Sequence, residues 1–170
     1  MKKLKSQKLL LVVLIIFIFV VGLFAEITDD MKGKLVELKG WESSEPEVVN
    51  IAMMGMKMAS VVKGYAQTDS SNFIVAIYVG TKMIMQGQMP EISMEDSEGK
   101  MTTSEIDGFT VMQFYDKLED EGTIMVTLGE TEQTRALMLF SYEKISLKEA
   151  LKLAKKFDWN KINKITQQLM

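Results

Sequence analysis

The chain has 170 residues, 23 of them acidic and 20 basic, with no cysteine and no histidine. That length suits one domain with its own core, and without cysteine the core must hold with no disulfide. Without histidine, the commonest general base at neutral pH and the commonest zinc ligand are both missing.

The first element is an export signal. Lys2, Lys3, Lys5 and Lys8 precede an unbroken 16-residue apolar block, Leu9 to Phe24, with Ala25 and then the acidic Glu26 after it. A permanent membrane helix needs about 20 apolar residues, so the block is short for an anchor. Ala25 is the small residue that a signal peptidase accepts before its cut, although Leu23 is bulky for the second recognition position. The reading is a signal peptide over residues 1–25, in bacterial style, cut after Ala25. The alternative is an uncleaved N-terminal anchor with the lysines left in the cytoplasm. Either way residues 26–170 form a single exported domain, periplasmic or extracellular, and membrane contact is confined to an uncleaved N-terminal segment. A lipid-modified cysteine at the cut is excluded.

Without residues 1–25 the count is 16 basic and 23 acidic, a net charge of −7. The charge is segregated: residues 26–143 carry −12 and residues 144–170 carry +5. An acidic body argues against nucleic acid, whose phosphates require a basic surface. The basic end reads as the wet side of an amphipathic helix in preference to a membrane patch.

Along the exported part, residues 26–33 read as a charged lead-in, and Lys34–Lys39 as a short first strand or helical turn. Gly40–Glu47 is punctuated as a loop. Val48–Ala66 is apolar, and its β-branched residues and two glycines favour extended structure. After the polar turn Thr68–Asn72, the run Phe73–Val79 predicts a strand that pairs with the segment before it as a hairpin. Thr81–Ile92 reads as a short helix or a loop over the sheet, and Ser93–Lys100 as an acidic loop. Met101–Ile106, Phe109–Tyr115, Thr123–Leu128 and Arg135–Tyr142 predict a meander, with Asp107-Gly108 in a tight turn. Then the period changes. Ser146 and Glu149 form a capping box, followed by Leu147, Ala150, Leu151 and Ala154 on one helical face. Asp158 caps a second helix carrying Trp159, Ile162 and Ile165. The expected fold class is α+β: an antiparallel sheet of five or six strands, with one or two C-terminal helices packed on one face.

Four motifs bear on chemistry. Fifteen methionines include Met53, Met54, Met56 and Met58, then Met83, Met85, Met89 and Met94. Thioethers are soft ligands, and alternate residues on a strand share a face, so Met54, Met56 and Met58 are a candidate Cu(I) site. Methionine also fills cores and adaptable apolar surfaces, and Met112, Met125 and Met138 sit in core-like strands. Ser60-Val-Val-Lys63 matches the Ser-x-x-Lys nucleophile pattern, but on a strand it sends the two side chains to opposite faces. The carboxylates at Glu95–Glu98 and at Asp116–Glu121 lack calcium-loop spacing and read as solvated turns. Trp41 and Trp159 read as packing residues. These observations require no cofactor and imply no catalytic residue.

The stretch Gly108–Asp116, the strand ending at Val126–Gly129, and the helical Ser146–Leu151 and Phe157–Ile162 carry a resemblance. So do Met53–Met56 and the strand near Tyr65. Over most of the exported part the chain resembles a loosely defined group of uncharacterised exported bacterial α+β proteins. In that pattern an arginine sits in the last strand, where Arg135 corresponds to it. The resemblance implies no activity. The expected function is a non-enzymatic binding or interaction module of the cell envelope, whose partner is an envelope protein or an apolar ligand. The alternatives are a Met-mediated Cu(I) or apolar-ligand binder, and a hydrolase working without histidine or cysteine.

Overall fold

Alternating and β-branched sequence carries the middle of the chain into strands, and two capped amphipathic segments close it as helices. The structure is a computed structural model that describes residues 28–53, 56–68, 70–82, 93–95, 97 and 99–170. The strands are β1 (Glu42–Ser43), β2 (Glu47–Met53), β3 (Met56–Ala66), β4 (Asn72–Thr81), β5 (Ser93–Glu95), β6 (Gly99–Ile106), β7 (Phe109–Asp116), β8 (Glu121–Glu130) and β9 (Thr134–Glu143). Helices α1 (Leu147–Ala154) and α2 (Trp159–Thr166) follow.

All neighbouring strands pair antiparallel. β1 and β2 share one flank of β3, so nine strands among the described residues fill eight positions, ordered β1/β2, β3, β4, β9, β8, β7, β6, β5. The α+β class and the antiparallel sheet are as expected; the count of five or six strands is too low. Val48–Ala66 folds back on itself, placing Met53 opposite Met56, and so yields two strands. β1 and β5 lie in stretches read as loops. Strands of two and three residues have little preference of their own, and form because a longer neighbour offers backbone partners. At the break between β1 and β2, the Ser44 N–H donates to the Gly64 carbonyl at 2.9 Å, and the Ser44 hydroxyl accepts from the Gly64 N–H at 3.0 Å. The Ser44 side chain thus satisfies the Gly64 N–H just ahead of Pro46, on a flank where proline is tolerated.

One face of the sheet carries the core. Phe73, Val75 and Ile77 of β4, Met138 and Phe140 of β9, Ile124 and Val126 of β8 and Val111 of β7 are all fully buried. Phe73 stacks on Phe140 with ring centroids 5.8 Å apart, and Phe140 also meets Phe157 at 5.5 Å and Trp159 at 6.4 Å. Such pairs contribute about 0.5–1.5 kcal/mol each beyond their buried area. Ala150, Leu153 and Ala154 of α1 and Trp159 and Ile162 of α2 complete this layer. Both expected caps form: the Glu149 N–H donates to Ser146 Oγ at 3.2 Å, and the Lys161 N–H to Asp158 Oδ1 at 3.0 Å. The Trp159 indole donates to the Ala154 carbonyl at 3.0 Å, locking one helix to the next.

The charged lead-in is more ordered than expected. Residues 28–32 make a helical turn that buries Met31 completely, and Leu35 and Leu38 follow it into the core. Lys34–Lys39 is neither strand nor helix. The expected signal segment, residues 1–25, and positions 83–92 of the Thr81–Ile92 stretch lie outside the described residues. Among the described residues no helix is long and apolar enough to cross a membrane.

Candidate functional site

The helices cover one face of the sheet; the other face holds the candidate site. Successive strand residues alternate faces, so the sequence neighbours of core residues along each strand define this open face. Across the sheet, Ile74 of β4 pairs with Ser141 of β9, Ser141 with Thr123 of β8, and Thr123 with Phe114 of β7. Two large apolar side chains therefore flank two small hydroxyl residues in one cross-strand row. Ile74 is 45% exposed and Phe114 39%. Three strand spacings of about 4.8 Å separate them, and the trough between is the candidate groove. Its cavity is about 280 Å³. That is near the lower limit for a small-molecule pocket, and holds one or two side chains more readily than a cofactor.

The next row along the strands closes the groove with polar groups. Asn72 pairs with Glu143, Glu143 with Glu121, and Glu121 with Asp116. The Asn72 amide donates to Glu143 at 3.1 Å, and Lys144 lies 3.8 Å from the same carboxylate. Asp116 accepts from the N–H groups of Leu118 and Glu119 at 2.8 and 3.1 Å, which shapes the β7–β8 turn. Beside that turn the Tyr115 hydroxyl donates to Asp120 at 2.8 Å, and this bond raises the Tyr115 pKa. Beneath the groove Tyr142 is buried, and desolvation pushes its phenol pKa well up.

The apolar surface continues along this face. Val49 and Ile51 of β2 are 45% and 42% exposed. Met112 of β7 pairs directly with Met125 of β8, and Met101 of β6 with Phe114. All three methionines are half-buried. Chemically this is a surface for apolar contact with hydroxyls in the floor and carboxylates at one end. Neither Ser141 nor Thr123 hydrogen-bonds a carboxylate among the described residues.

The residues singled out from sequence are dispersed. Met58 lies half-buried on β3 opposite Ile51 and Gly80, on the open face. Met54 and the Met56 side chain lie outside what the structure describes, so the proposed thioether triad does too. Among the described residues no group of three carboxylates could hold a metal ion. Ser60 and Lys63 point to opposite faces, as strand parity requires. The Ser60 hydroxyl donates to the Val49 carbonyl at 3.3 Å, while Lys63 pairs with Glu37 on the core face. Arg135 lies at the far end of β9, where it donates to Glu130 at 2.9 Å; Lys82 pairs with the same carboxylate. These hydrogen bonds, from Lys82 first and Arg135 second, hold the Glu130 pKa below its ordinary value. Glu95 of the first acidic cluster pairs with Lys100 and Lys117. Trp41 packs on Phe73 at 6.3 Å beside a more open hollow of about 500 Å³.

Ile74 and Phe114 were not singled out from sequence. The signal was present in Phe73–Val79, where apolar residues occupy every position with no period of two, the mark of a strand apolar on both faces. Comparison with protein-family models, curated proteins and solved structures finds no match to this chain.

Proposed function

We propose that this chain is an exported, non-enzymatic binding module of the cell envelope, and that it docks an apolar segment of its partner on the open sheet face. The observation that carries the reading is the opposition of exposed Ile74 and Phe114 across Ser141 and Thr123. Apolar side chains grouped on an exposed face, with Val49 and Ile51 extending them, mark an interaction surface more than a random surface. The half-buried methionines alongside supply soft, deformable contacts suited to that role. The basic head and apolar block at residues 1–25 support export.

The test uses protein purified from the cells that export it, titrated with the neutral apolar fluorophore N-phenyl-1-naphthylamine. Saturable binding that is lost in Phe114→Ser and kept in Lys152→Ser, on the helical side, is expected. Binding indifferent to Phe114 sinks the reading. Intact mass of the same sample is expected to lack residues 1–25.

A further inference from the structure

We propose that the segment received by this groove carries a positive charge next to its apolar residues, so that the partner is a cationic, apolar peptide segment. This rests on the docking reading above and adds the partner's chemistry. Glu143, Glu121 and Asp116 are directly opposed across β9, β8 and β7, on the same face as Ile74 and Phe114. Like charges opposite one another destabilise a sheet. Two other carboxylates of this sheet are each held by two cations: Glu130 by Lys82 and Arg135, and Glu95 by Lys100 and Lys117. The groove row is different. The Glu121 side chain has no hydrogen bond or ion pair among the described residues, and Glu143 has only Lys144, at 3.8 Å, as its cation.

The carboxylate row lies two residues along the strands from the apolar row, about 6.8 Å. A side chain seated over Ser141 and Thr123 thus places a neighbouring ammonium or guanidinium over Glu121. Partner and apolar walls together exclude water there, which strengthens the attraction. A neutral apolar partner desolvates the carboxylates without compensation, and an acidic one is repelled.

The experiment is calorimetric titration of the exported protein with four end-blocked hexapeptides: Lys-Val-Leu-Phe-Val-Lys, the same core flanked by Gln, the same core flanked by Glu, and Lys-Ser-Thr-Ser-Thr-Lys. The lysine-flanked apolar peptide is expected to bind at least about tenfold more tightly than each of the others, with the gap shrinking between about 0.05 and 0.5 M salt. Glu121→Lys with Glu143→Lys is expected to reverse the order in favour of the Glu-flanked peptide. Equal binding of the Lys- and Gln-flanked peptides overturns the charge assignment and leaves apolar docking standing. Equal binding of the polar lysine peptide overturns the apolar component. No binding by any peptide, with no fluorophore binding either, overturns both readings. Salt-sensitive self-association without peptide binding overturns the peptide assignment, and gives the groove to the exposed Lys148, Lys152 and Lys156 of a second copy.

Discussion

Tyr142 of β9 sits directly opposite Gly122 of β8, and its phenol crosses the space a side chain at Gly122 would fill to donate to the Phe114 carbonyl of β7 at 3.4 Å. Three strands are tied at the point where the groove has its aromatic wall. A Cβ at position 122 would lie 2.5 Å from the Phe114 oxygen and overlap the Tyr142 hydroxyl. Gly122→Ala is therefore expected to cost about 1–3 kcal/mol, the range for forcing extra atoms into a packed site. Urea unfolding measures it. Tyr142→Ala in the same chain is expected to recover part of that loss, and strictly additive effects would argue against the crossing.

Lys63 lies on the core face of β3, its side chain 5% exposed, and reaches Glu37, whose own side chain is 71% exposed. The ammonium also sits 5.4 Å from the Tyr65 ring centre. The aliphatic stem belongs to the core, and only the tip needs a partner. Lys63→Met keeps the stem and removes the charge, so it is expected to change stability by less than about 1 kcal/mol. Glu37→Ala leaves the buried Lys63 ammonium without its carboxylate and is expected to cost more than Lys63→Met. Denaturation midpoints of the two variants and of the double variant check the order; a larger loss in Lys63→Met contradicts it.

Acid sensitivity follows from Glu130. Its folded pKa is depressed by Lys82 and Arg135. A depressed carboxyl stabilises the fold fully above its unfolded pKa, about 4.3, and that contribution disappears as pH falls through the lower folded value. Glu130→Gln is expected to unfold at a lower urea concentration than wild type at pH 7, and the difference should shrink below about pH 4. Because the pair is partly exposed, the effect is small and salt-sensitive. A difference that holds unchanged down to pH 2 refutes this assignment.

The caps give a fourth expectation. Ser146→Ala and Asp158→Ala each remove the acceptor for a helix N-terminal N–H; both are expected to destabilise the fold, Ser146→Ala by about 1 kcal/mol. The Asp158 variant should lose more at neutral pH than under acid conditions, because Lys161 holds its carboxyl below the ordinary value and that contribution vanishes as pH falls. Thermal unfolding at pH 7 and pH 3 reads both effects.

Several parts of the fold are legible residue by residue. Ser146, Glu149 and Asp158 announce two helices, because capping is a local exchange of hydrogen bonds. Asp107 and Gly108 both have positive φ, as a tight turn of that dipeptide requires. β1 and β5 are not legible, since their hydrogen bonds come from β3 and β6 and not from their own composition. Met31 in a charged stretch gives no local sign that it is fully buried; only the packing against the sheet decides that.

By itself the sequence determined the basic head and apolar block of residues 1–25, the lack of histidine and cysteine chemistry, the segregation of charge, the helices and the antiparallel class. These depend on composition, or on interactions within a few residues of one another. The tertiary structure alone decided that Ile74 faces solvent while Phe73 and Val75 are buried, and that Phe114 stands across from Ile74. It also decided that Glu143, Glu121 and Asp116 share one row. Those placements follow from which strands are neighbours and in what register, and register couples residues dozens of positions apart through backbone hydrogen bonds that any sequence can make.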